Sequence, residues 1–196
     1  MKTYIPHLTA LCIAFSASIT YAASTDAFLK ATRALESRFV LYDSAYTNIP
    51  YPGGDVSPRR GVCSDVIIRA YRGIGIDLQQ RVHEDMKKHF ALYPKLWGLK
   101  RADSNIDHRR VPNLQVFFKR FGKTLPVTAN AADYKPGNIV TWNLRDKGSL
   151  PHIGIVTDIK ASNGNPLIMH NIGYGQVKED MLFDYKITGH YRYGLD

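Results

Sequence analysis

The chain of 196 residues has two cysteines, and one of them, Cys63, stands in Gly61-Val62-Cys63-Ser64-Asp65. Gly61 reads as a tight turn, and the residues after it carry a helical apolar pattern, so the sulfur is expected at a helix N-terminus. Unpaired N–H groups and the helix dipole favour an anion there, and thiolate is the form of cysteine that attacks a carbonyl. The same N–H groups, including that of Cys63, suit an oxyanion. Such a nucleophile also needs a base within hydrogen-bond reach and a third group that orients the base. His152 opens the run His152-Ile153-Gly154-Ile155-Val156, and His170 closes Leu167-Ile168-Met169-His170. If these are antiparallel neighbouring strands, the start of one lies beside the end of the other and the two imidazoles meet. Period two puts His152, Gly154 and Val156 on one face and Ile153 and Ile155 on the other. Gly154 leaves room for a substrate or a neighbouring backbone.

Plainer readings stand beside this one. A lone cysteine is commonly a small buried apolar residue. His83, His89, His108 and His190 have no such placement and read as structural or surface residues. Cys63, His152 and His170 have the chemistry to ligate a metal, but no second cysteine or paired carboxylate accompanies them, and His83-Glu84 lacks the second histidine of a zinc-binding HExxH. No metal and no cofactor is expected.

The elements that must position these groups can be read from pattern. An amphipathic helix is expected over 25–38, with Phe28, Ala31, Leu35 and Phe39 on its buried face. Residues 48–60 form a Pro/Gly loop. Helices follow over 62–72, ended by Gly73 and Gly75, and over 83–90. Another is opened by residues 107–112, carrying Leu114, Phe117, Phe118 and Phe121 at core spacing. Short strands are expected at 138–142, 152–157, 166–170 and near 187–193. Helices first and strands second predict an α+β domain, with the Cys63 helix packed on a small antiparallel sheet.

Residues 1–22 read as a cleaved signal peptide. Lys2 supplies the positive start, residues 8–19 the apolar run, and Thr20 and Ala22 the small residues before cleavage. The run is too short for a stable anchor, which needs about 20 apolar residues. Cys12 leaves with the leader, and residues 23–196 suit one domain. A periplasmic or secreted protein without stable membrane insertion is expected. The formal charge is +9, of which Lys2 carries one, so the mature chain carries +8. That balance favours anionic partners such as lipid headgroups or a cell-wall polymer, and export argues against nucleic acid. The oligomeric state cannot be read from the sequence.

Several segments together resemble the NlpC/p60-type papain-like superfamily. They are Gly53-Gly54, Cys63-Ser64, Tyr71, Gly75-Ile76 and Leu78. Further on come Tyr134-Lys135-Pro136-Gly137-Asn138-Ile139-Val140, Pro151-His152-Ile153-Gly154-Ile155-Val156 and Ile168-Met169-His170. Residues 105–114, His170-Asn171-Ile172-Gly173 and Gly189-His190-Tyr191-Arg192-Tyr193 resemble, more closely, the exported bacterial group called domain of unknown function 1287. The resemblance implies a papain-like fold with Cys63 as nucleophile, His152 as base and His170 as the orienting residue. It also implies a helical insertion around 79–135, longer than the superfamily's core. Val62 replaces the usual Asp before the cysteine, and Asp65 replaces the usual Gly after Cys-Ser. Asp65 suits the helix dipole, yet its charge raises the pKa of a nearby thiol. The expected function is a cysteine amidohydrolase or peptidase acting on amide bonds of peptidoglycan stem peptides. Their free carboxylates suit Arg109, Arg110 or other surface cations. Alternatives are a papain-like acyltransferase or lipid hydrolase, a non-catalytic cell-wall or ligand-binding module, and a domain with an inert buried thiol. Tyr46 and Tyr51 are within loop reach of a cleft, where a phenol could assist an oxyanion. Ordinary packing is the simpler role for them.

Overall fold

A computed structural model of the protein describes residues 23–196. The expected leader, Cys12 included, lies outside the described residues. Helix α1 (Thr25–Ala34) starts at Ser24, whose hydroxyl accepts the Ala27 N–H at 3.1 Å, an ordinary N-cap. It buries Phe28, Leu29 and Thr32. It is four residues shorter than its periodicity predicts. Ser37 instead exchanges backbone hydrogen bonds with Gln176, which draws the chain out of the helix and leaves Phe39 87% exposed.

Strand β1 (Leu41–Tyr42) pairs in parallel with β2 (Arg60–Gly61); two-residue strands carry no readable period. Helix α2 (Cys63–Arg72) follows at once and ends at Gly73. Helix α3 (Leu78–His89) is capped by Asp77. It begins five residues before the expected start at 83, because Leu78, Val82 and Met86 form its buried stripe while Gln79-Gln80-Arg81 hides the pattern. Helix α4 (Val111–Phe121) has Pro112 in its first turn, where a missing N–H is harmless. Phe117 and Phe118 enter the core. Phe121, expected with them, is the last residue of α4 and half exposed, with its ring 4.9 Å from that of Phe117.

The sheet comprises β3 (Lys123–Thr124), β4 (Ile139–Asn143), β5 (Pro151–Lys160), β6 (Pro166–His170), β7 (Val177–Glu179) and β8 (Lys186–Arg192), in the order β3-β8-β4-β5-β6-β7. Every neighbouring pair is antiparallel. The architecture is therefore α+β, with the strands of 138–142, 152–157, 166–170 and 187–193 found within a residue or two at most ends, β5 running three residues further. One sheet face presents Ile139, Ile153, Ile155, Met169 and Tyr191 to Val66, Ile67 and Tyr71 of α2 and to Leu114 and Phe118 of α4. The other buries Val140, Trp142, Val156 and Ile168 against Tyr134, Met181 and Leu182. Full burial of such side chains contributes roughly 1.5–3 kcal/mol each, which holds the layers without a disulfide; Cys63 is free.

Gly154 lies where β5 meets β6. A Cβ there would stand 2.5 Å from Ile168 Cγ2 and 3.2 Å from the Met169 carbonyl oxygen. The space beside His152 is thus filled by the neighbouring strand. Gly154→Ala is expected to lower stability by about 1–3 kcal/mol through overpacking. A urea midpoint equal to that of the parent protein would contradict this packing.

Candidate active site

The start of α2 is organised by one carboxylate. Val62, the N-cap, has no side-chain acceptor of its own. Asp65, three residues on, takes the Val62 N–H through Oδ2 at 2.7 Å, the reverse half of a capping box. Gly61 permits the approach, since a Cβ there would lie 3.1 Å from Asp65 Oδ2. Arg109 donates Nε to Asp65 Oδ1 and Nη2 to Oδ2, both at 2.9 Å, and both side chains are buried. Ser64 closes the corner by donating its hydroxyl to the Arg109 carbonyl at 2.7 Å.

Cys63 Sγ sits in this corner with 4% of the residue exposed. Burial pushes its thiol up to about 12, and the Asp65 charge works in the same direction. The backbone N–H groups of Ile153, Ser64 and Cys63 work against both by favouring the thiolate. Burial outweighs them, so the resting thiol is neutral. The phenol of Tyr42, on a residue 47% exposed, is raised to about 12 by partial burial first and then by its neighbours Cys63 and Asp65, against the pull of Arg109. The β1–β2 pairing, which sets Tyr42 opposite Gly61, brings it there. Nothing in the sequence pattern singled it out. Tyr46 instead donates to Asp103 and accepts from Asn105, and Tyr51 packs edge-on against His83; neither hydroxyl is committed to the thiol.

His152 and His170 meet across β5 and β6, with His152 Nε2 3.0 Å from His170 Nδ1. His170 Nε2 lies 2.9 Å from Oε2 of Glu179 on β7. The carboxylate accepts only, so the His170 proton sits on Nε2. Its Nδ1 then accepts from the His152 Nε2–H, and the His152 lone pair is left on Nδ1. Burial, with His170 adding to it, pushes His152 down to about 3. Burial also lowers His170, against the opposing pull of Glu179. Both imidazoles are therefore neutral near pH 7. Glu179 was missed because a Glu near a turn carries no signal of its own; only the β6–β7 pairing reveals it.

Cys63 belongs to the core on the Ile153 face of β5, whereas His152 lies beside Trp142 on the other. The sulfur faces the Ile153 N–H, one residue from His152, and the histidines bond to each other and to Glu179. Asn171, after His170, reaches the Gly61 carbonyl at 3.5 Å, so the end of β6 abuts the turn before Cys63. Cys63 makes no hydrogen bond to either imidazole. Among the described residues no three His, Cys, Asp or Glu side chains converge as a metal cage requires.

The other histidines are engaged in packing. His83 and His89 pair with Asp107 and Asp85, and His190 stacks on Tyr134 and bonds Pro126 and Asn138. His108 is buried. Arg109, expected among the surface cations available to a substrate, is instead spent on Asp65.

Residues 29–193 match the family model described as Domain of unknown function (DUF1287). The chain belongs to the DUF1287 family. It is 58% identical over 154 residues to the protein named Uncharacterized protein YijF of Escherichia coli strain K12, covering 79% of this chain and 74% of that one. No solved structure matches. No helix among the described residues of this DUF1287 chain is long and apolar enough to cross a membrane.

Two expectations follow. Arg109→Met would leave Asp65 buried and unpaired, with a loss of about 3–5 kcal/mol in urea denaturation; adding Asp65→Asn should restore part of it, and an unchanged midpoint for R109M would refute the pairing. His152 and His108, each pushed down to about 3 by burial first, are neutral when folded, while unfolded histidine takes up a proton below about 6.5. The unfolded state therefore binds more protons as pH falls, and stability declines from about 6.5 toward 3. Urea midpoints between pH 7 and 5, above the carboxylate range, should already fall; a flat profile would count against neutral burial.

Proposed function

We propose that this DUF1287 chain is a periplasmic cysteine amidohydrolase or peptidase of papain-like type, acting on amide bonds of peptidoglycan stem peptides. The observation that carries the reading is the His152–His170–Glu179 chain. It leaves the base lone pair on His152 Nδ1, next to the residue whose N–H faces Cys63. The motif resemblance and the net positive charge support the substrate class, and the leader-like residues 1–22 support the location.

In this reading a bound substrate brings the Cys63 thiol and the His152 imidazole, which are not hydrogen-bonded at rest, within reach, and the thiol proton passes to His152 Nδ1 as the sulfur bonds the amide carbonyl carbon. Backbone N–H groups at the start of α2 face the oxyanion. His152 returns the proton to the leaving nitrogen and the C–N bond breaks, giving a thioester. Water then attacks, its proton goes to His152, the C–S bond breaks, and Cys63 recovers the proton as the acid departs. Because thiol and imidazole are both neutral at rest, no ion pair is preformed, and proton transfer accompanies attack on a bound substrate.

A second reading has one observation in its favour. A thiol 4% exposed and raised to about 12 is also what an inert core cysteine in a binding module looks like. Incubation of purified protein with peptidoglycan fragments, read by mass spectrometry, separates the two. Hydrolysis should be lost in Cys63→Ala and fall by about 10²–10⁴-fold in His152→Ala, with a smaller loss in Glu179→Ala. Identical products from the parent protein and C63A would eliminate the cysteine-hydrolase reading for that substrate.

A further inference from the structure

A cavity of about 300 Å³ lies against the start of α2, lined by Ser44, Tyr46, Val62, Trp97, Ile106 and Arg110, with Arg109 at its wall. Val62, the N-cap of α2, lines it; Cys63, the next residue, does not. The donors at its wall are unequally engaged. Arg109 is held by Asp65 and by the Asp43 and Ala45 carbonyls, and the Tyr46 hydroxyl by Asp103 and Asn105.

The Arg110 guanidinium makes no hydrogen bond among the described residues, and its Nη1 is shut from solvent without an acceptor. Asp103 and Asp107 are the carboxylates whose charge it feels. Neither bonds it: Asp103 is taken by Tyr46 and the Asn105 N–H, Asp107 Oδ2 by His83 and the Asp103 N–H, and Asp107 Oδ1 is buried without any partner. Arg110 instead lies over the Trp97 ring, 4.0 Å from its centroid, an arrangement that steadies the flat guanidinium. Trp97 has φ +75°, a region unfavourable for any residue but glycine and found where surroundings or function enforce it.

Arg110 is only partly buried, so its remaining N–H groups are open on the cavity side, and no acceptor on the described residues competes with a ligand for them. The planar arginine fork matches a carboxylate through two parallel hydrogen bonds. We propose that this cavity is a carboxylate subsite, in which Arg110, steadied by Trp97, takes a free carboxylate of a peptide whose scissile amide lies at Cys63. The placement of that amide rests on the reading of Cys63 as nucleophile; the binding of the carboxylate does not. The volume suits a residue or two of peptide, with Val62, Ile106 and Trp97 for its apolar side chains and Ser44 beside its polar groups.

The test uses Cys63→Ala protein, so that binding is read without turnover. N-acetyl-alanyl-alanine, its C-terminal amide and octanoate are titrated separately by NMR. The free acid should bind at least about tenfold more tightly than its amide, the worth of one charge-assisted hydrogen bond or more. Arg110→Gln should erase that ratio and Arg110→Lys should retain part of it, both with the parent circular dichroism spectrum. Equal affinities for acid and amide, or an unchanged ratio in R110Q, would overturn the subsite. Octanoate binding as tightly as the dipeptide acid would overturn the peptide assignment. A preserved acid-to-amide ratio beside failed Cys63-dependent hydrolysis would uphold the cavity and remove the nucleophile reading; the reverse pair would do the opposite.

Discussion

The corner that holds Cys63 depends on the Asp65 carboxylate and the arginine that neutralises it. Asp65 fixes the first turn of α2 by taking the Val62 N–H, and so sets where the sulfur points. An uncompensated charge at that depth would be prohibitive. Arg109 compensates it, and in doing so ties three separate stretches together: the first turn of α2, the 3-10 turn Asp107–Arg109, and the backbone of residues 43–45 after β1. The same segment returns a contact through Ser64 to the Arg109 carbonyl. The pair's worth lies in geometry more than in net energy, since buried ion pairs gain little over apolar substitutes while single deletions are severe.

Burial then decides the protonation of everything nearby. It drives the thiol up and the imidazoles down, so both partners rest uncharged. The His152–His170–Glu179 chain does not charge the base; it selects a tautomer. Glu179, half exposed at the sheet's edge, fixes the His170 proton on Nε2, and this fixes the lone pair of His152 two bonds away. In the proposed reading a base pushed down to about 3 is far below the working pH, so proton transfer must accompany bond formation at sulfur and cannot precede it.

Much of this was legible in the sequence. The helix start at Cys63 follows from Gly61 and the apolar spacing of Val66, Ile67 and Ala70. The meeting of His152 with His170 follows from two short β-branched runs and antiparallel pairing. What escaped reading is whatever depends on tertiary partners without a local period. The C-terminal end of α1 and the exposure of Phe39 are decided by the Ser37–Gln176 pairing, and α3 begins under a polar run because its apolar stripe is sparse. Tyr42 and Glu179 enter the corner on strands of two and three residues. The expectation of Arg109 among the surface cations failed because a charged side chain looks the same in sequence whether it faces solvent or a buried aspartate.

The two departures from the resembled signature are linked by this geometry. Where the signature has Asp before the cysteine and Gly after Cys-Ser, the chain has Val62 and Asp65. Moving the acid from one side of the cysteine to the other keeps a carboxylate at the helix start, but places it inside the core, where it requires a buried cation. That cation comes from residues 107–110, within the expected insertion of 79–135. The segment is thereby part of the corner and not an appendage to it. Adjacent residues take opposite roles: Arg109 turns inward to Asp65, and the backbone, extended at Arg110 (φ −101°, ψ 115°), turns the next guanidinium outward over Trp97. Asp65 thus accounts for an arginine locked in the core, while the next arginine, without an acceptor, lies over Trp97 at the cavity that Val62 lines.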